Sequence, residues 1–82
     1  MIDGIDDWER AQLNVALKKQ VALAINGYLS TTGMSMSDLA RRANLSPSAV
    51  SRWASESMLI GLTELVMLAK AMGTTPNQIL YG

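Results

Sequence analysis

From Asp7 to Leu29 an apolar side chain returns at every fourth position: Leu13, Leu17, Val21, Ile25 and Leu29. That spacing lays them along one slowly drifting side of a helix and predicts a single long element, ended by the breaker Ser30-Thr31-Thr32-Gly33. Asn26-Gly27 is a competing turn signal, because glycine costs a helix interior about 1 kcal/mol relative to alanine. The stripe continues through Tyr28 and Leu29, so the helix reading is kept. From Ser35 onward the pattern shortens and is punctuated. Ser35 and Asp38 form a capping box ahead of "SDLARRA", and Asn44 suits the left-handed residue that ends that helix. Ser46 caps a second short helix with Pro47 at its first position, where a missing N–H costs nothing. Gly61 to Glu64 opens "LTELVMLAKAM", which Gly73 closes, and Thr75-Pro76 repeats the cap-then-proline device for "PNQIL". No alternating pattern supports strands. The prediction is all-α: a compact five-helix bundle with an N-terminally extended first helix, residues 1–20 being the extension and 21–82 the domain proper.

Composition narrows the chemistry. The chain has 82 residues, neither cysteine nor histidine, and a net charge of zero. One small domain is expected, close to the size at which a hydrophobic core supports itself without staples. Zinc sites and Cys or His nucleophile arrangements are excluded, which leaves scattered carboxylates and argues against an enzyme. No cofactor and no metal are expected. The opening "MIDGIDDWER" is acidic where a secretory signal is basic, and no apolar run approaches the ~20 residues that span a bilayer. A cytoplasmic protein is expected. Zero net charge speaks against nucleic acid at first sight, but the charge is unevenly placed. Asp3, Asp6, Asp7 and Glu9 against Arg10 make the first ten residues net negative, so the remainder is net positive by the same amount. Ordinary solvated surface explains that asymmetry equally well.

The two short helices carry the functional signal. Leu39 and Ala40 face inward on the first, Ala43 lets the pair approach, Leu45 plugs the turn, and Val50 with Trp53 anchor the second. Those spacings together make a helix-turn-helix. The outward set is then Ser46, Ser48, Ala49, Ser51 and Arg52: small side chains and one long cation on a helix that can enter a DNA major groove, which is about as wide as a helix.

With "MSDLARRANLSPSAVSRW", "LTELVMLAKAMG" and "TPNQIL" in this order, the chain resembles the Cro and lambda-repressor-like helix-turn-helix family from Val21 to about Leu80. The resemblance implies five helices, a third helix that reads the major groove, and a dimer on a palindromic operator. Three positions depart from the family pattern. Met36 stands where a glutamine commonly contacts a phosphate, so that contact falls to Ser35 or Ser37. Leu29 and Ala54 stand where many members bury an Arg–Glu pair, and they are expected to touch. Losing both partners together avoids a stranded charge. The loop "SESMLIG" carries Glu56 and apolar residues where the family usually has glycine and basic or polar ones.

The expected DNA contacts are therefore Ser35, Ser37, Ser46, Pro47, Ser48, Ala49, Ser51 and Arg52, with Arg41 and Arg42 read first as solvated surface. Met58, Leu59, Ile60, Val66 and Met67 are many apolar groups for one face, and mark a subunit or protein-partner contact or packing against the N-terminal helix. Met72 is read as a core filler. Trp8, Ala11, Leu13 and Val15 add apolar surface to a fold already closed without them, which points to a homodimer. The function expected is sequence-specific binding of double-stranded DNA by a phage or bacterial repressor, the alternative being an antitoxin or other protein-interaction module on the same fold.

Overall fold

The computed structural model describes residues 4–82, so the first three residues of the expected extension lie outside it. Five helices follow in order: α1 Asp7–Thr32, α2 Met36–Ala43, α3 Pro47–Ala54, α4 Leu62–Ala71 and α5 Pro76–Tyr81. No strand occurs among the described residues, and no helix there is long and apolar enough to cross a membrane.

Local chemistry sets the boundaries. Asp6 opens α1 by accepting from the Glu9 N–H at 2.8 Å. The helix runs three residues past Leu29, because Thr32 turns its hydroxyl back onto the Tyr28 carbonyl at 2.7 Å and leaves the left-handed turn to Gly33, whose φ is 72°. Ser35, Ser46 and Thr75 each accept the N–H three residues on, at 3.1 Å in every case, so α2, α3 and α5 start where their caps stand. Only half of the Ser35–Asp38 capping box forms, since the Asp38 carboxylate instead accepts from Arg41 at 3.2 Å. Asn44 takes the left-handed conformation (φ 58°) that swings the chain from α2 into α3. Leu45 then donates its N–H to the Ala40 carbonyl at 2.8 Å and closes the turn.

The core is apolar throughout: Val21 and Ile25 of α1, Leu39 and Ala40 of α2, Val50 and Trp53 of α3, Leu65, Leu68 and Ala69 of α4, and Ile79 of α5. Leu29, Leu45, Ala54 and Met72 pack around it half-buried. A helix of eight residues is unstable alone in water, so α2 and α3 exist because this core holds their inner faces. The second half of α1 lies against α3 and α5, while its first half projects, and the molecule measures 49 × 21 × 21 Å. Trp8, Leu13 and Val15 are exposed there. The N-terminal helix therefore does not fold back over Met58 to Ile60, and that apolar stretch is not explained by packing against it.

Two polar details tie α3 in place. The Asn26 side-chain amide donates to the Ala22 carbonyl at 2.9 Å and to the Ala54 carbonyl at 3.0 Å, joining α1 to the end of α3. After α3, Ser57 donates its N–H to the Arg52 carbonyl at 2.8 Å and Glu56 to that of Trp53 at 3.3 Å, with Glu56 left-handed at φ 63°. This is a Schellman closure with glutamate where glycine is preferred.

Each tie gives a measurable expectation. Asn26→Asp places a carboxylate against two carbonyl oxygens and should cost about 1–3 kcal/mol, lowering the melting temperature by several degrees. Asn26→Ala, which gains helix propensity while losing the bonds, should cost less than about 1 kcal/mol. Equal melting temperatures for the two variants would mean that the tie is not made. Glu56→Gly should raise stability by about 1 kcal/mol by relieving the left-handed strain, with Glu56→Asn intermediate. A drop in denaturant midpoint for the glycine variant would contradict this geometry.

Candidate DNA-reading face

With Val50 and Trp53 buried, the other side of α3 is fixed outward. Ser46, Pro47, Ser48, Ser51 and Arg52 are all exposed. Ala49 differs from the outward placement expected of it: it is half-buried and packs on the core. It stands one turn before Trp53, at i and i+4, and so shares part of that residue's inward side. Its small side chain leaves the flank of the helix low. No acidic residue lies on α3, so nothing on this helix repels a phosphate.

The serines do double duty. Ser46 and Ser35 spend an oxygen lone pair on capping and keep their hydroxyl protons for an incoming acceptor. Ser37, also exposed, sits in the first turn of α2. A cleft of about 520 Å³, lined by Ser37, Arg41, Asn44, Leu45 and Pro47, brings the start of α2 beside the start of α3. It unites two of the expected contacts and brings Arg41, a second-rank candidate for a phosphate contact, beside them.

The arginines separate by their partners. Arg41 bonds Asp38, and Arg42 donates to the Tyr28 hydroxyl at 2.9 Å on the side of the molecule where Tyr28, Met67 and Lys70 line another cleft. Arg52 makes no side-chain hydrogen bond or ion pair among the described residues. It alone of the three carries a guanidinium with no protein partner to share. In the sequence Asn26 reads only as part of a turn dipeptide; the signal that could have found it is its place at the exposed edge of the packed side of α1, four residues after the buried Ala22.

The apolar stretch after α3 is partly dispersed. Ile60 packs on the core, Met67 is half-buried beside Tyr28 and Arg42, and Met58, Leu59 and Val66 remain exposed. Leu62, not singled out from the sequence, is the most exposed large apolar residue described.

A family model described as helix-turn-helix matches residues 32–79, more than half of the chain, and leaves nearly all of α1 outside. No protein of curated function matches the chain. Among solved structures, the crystal structure of a hypothetical transcription factor, NHTF, from Neisseria is similar, with 25% identity and a TM-score of 0.74 over 82% of this chain and 75% of that one. The turn fixed by Asn44, the buried Val50 and Trp53, and the match over α2 to α5 agree: the chain belongs to the Cro and lambda-repressor-like helix-turn-helix family and is a DNA-binding regulator.

Proposed function

We propose that the protein is a bacterial or phage repressor that binds an operator as a homodimer, with residues 21–82 forming the DNA-binding domain and residues 1–20 an appended extension. Such a protein works where the DNA is, in the cytoplasm. The observation that carries the reading is the unpartnered Arg52 on a low, serine-lined face free of acids. A guanidinium there can take the paired acceptors of a guanine edge, while the free N–H groups and positive dipole end at Ser46 to Ser48 favour a phosphate or a base acceptor. Ser35 and Ser37, with Arg41 across the cleft, supply backbone contacts that set the register but carry no sequence information.

A second reading, an antitoxin or other protein-binding module, is favoured by the exposed Met58, Leu59, Leu62 and Val66. The two readings differ in what α3 does. On a duplex selected from a random pool, Arg52→Ala should lose about 1–3 kcal/mol and relax preference at one position per half-site, with Ser48→Ala following more weakly. On scrambled duplex both should bind like the parent. A loss equal on every sequence, with the salt dependence flattened by about one unit, would make Arg52 a phosphate contact. Arg42→Ala, whose side chain is held by Tyr28, should change little. Undiminished affinity for both Arg52→Ala and Ser48→Ala would remove α3 as the reading helix and favour the protein-binding module.

A further inference from the structure

The projecting half of α1 has no use in the reading above. It exposes Trp8 (69%) and Val15 (58%), with Ile5 (65%) just ahead of the helix and Leu23 (60%) further along it. A helix that carries apolar side chains around its circumference belongs in an interior, and water is a poor neighbour for these. Their placement is ordered. Trp8, Ala11 and Val15 recur at i, i+3 and i+7, the seam of a helix pair, with the small Ala11 at its centre permitting close approach. Charge is ordered as well. The first turn is acidic at Asp7 and Glu9 behind the Asp6 cap, and the only cations on the helix beyond Arg10 are Lys18 and Lys19, three turns on.

We infer that this half of α1 is a self-association helix: two copies of the chain pair their first helices antiparallel through Trp8, Ala11 and Val15, Asp7 of each lying against Lys18 of the other. The occupant is a second copy because the surface complements itself. In an isologous pair centred near residue 13, each contact occurs twice. Ala11 meets Val15, and at 100° per residue Asp7 and Lys18 fall on the same flank of the seam, where antiparallel helices bring them together. Trp8 falls on the flank of Lys19, whose aliphatic stem and ammonium suit an indole face. The overlap spans about residues 7 to 19, the part of α1 that stands clear of its own domain before the buried Val21 and Ala22. Leu13 stays outside the seam. Lys18 and Lys19 thus serve association, and the dipoles of the two helices oppose favourably.

The inference deepens the dimer part of the proposed function, and it is tested without DNA so that its failure is separate from that of the reading helix. Sedimentation equilibrium of the 82-residue chain should show a monomer–dimer equilibrium with Kd of roughly 10–100 µM for so small a seam. Val15→Glu should leave the chain monomeric across that range with unchanged helical circular dichroism. Lys18→Glu should weaken the dimer several-fold, and Asp7→Lys together with Lys18→Glu should recover it. A chain that stays monomeric at 500 µM, a dimer that Val15→Glu leaves intact, or a double charge swap no better than Lys18→Glu alone would each overturn the inference; the second of these would place the contact elsewhere, as at Met58 and Leu59.

Discussion

Everything functional here depends on the burial of Val50 and Trp53 against α1 and α2. α3 has eight residues and could not persist alone in water. Its orientation is set by the two side chains it commits to the core, in one buried cluster with Leu39 and Ala40 of α2 and Ile25 of α1. Once those are fixed, Ser48, Ser51 and Arg52 have no choice but to face outward. The rigid placement of a DNA-reading surface is thus a by-product of packing. The cost is borne by one polar atom, since the indole N–H of Trp53 finds no acceptor in the protein among the described residues.

Around that anchor the protein relies on neutral hydrogen bonds in place of ion pairs. The resemblance placed a buried Arg–Glu pair at Leu29 and Ala54. Both positions are half-buried apolar residues here, and Asn26, less than a turn before Leu29, reaches the Ala54 carbonyl instead. A carboxamide makes that link without desolvating a charge, and the core contains no buried polar or charged side chain among the described residues. The sole ion pair described, Arg41 with Asp38, lies on the surface within α2, where such pairs contribute little to stability. Fixing Arg41 and Arg42 to protein partners has a functional side effect: it leaves Arg52 as the arginine of the helix-turn-helix with nothing to give up when DNA arrives.

The sequence made the helix starts legible because they are local. Ser35, Ser46 and Thr75 each cap a helix through an N–H three residues away, and no tertiary information is needed to see it. The turn at Asn44 and the inward residues of α2 and α3 were legible for the same reason. The end of α1 and the role of Asn26 were not, because both are decided by contacts distant in sequence or by a Thr32 hydroxyl turning back on its own helix. The fourfold stripe of α1 misled in a more instructive way. Residues four apart advance about 40° per step at 3.6 residues per turn, so Leu13 is rotated about 120° from Ile25. The first is exposed and the second fully buried. Periodicity identifies a helix, but over 26 residues it does not identify a single face, and it cannot say what covers one.

The central claim is that the outer face of α3 and the start of α2 meet DNA while the projecting half of α1 does not. Amide chemical shifts of the 15N-labelled protein, followed during titration with a short duplex at low salt, test it residue by residue, and non-specific binding is strong enough there to be seen. The account predicts that the largest changes fall on Ser35, Ser37, Ser46, Ser48, Ser51 and Arg52, with the amides of residues 8–15 shifting no more than dilution alone moves them. Changes centred on Met58 to Val66 or on the first half of α1, with α3 unmoved, would contradict it.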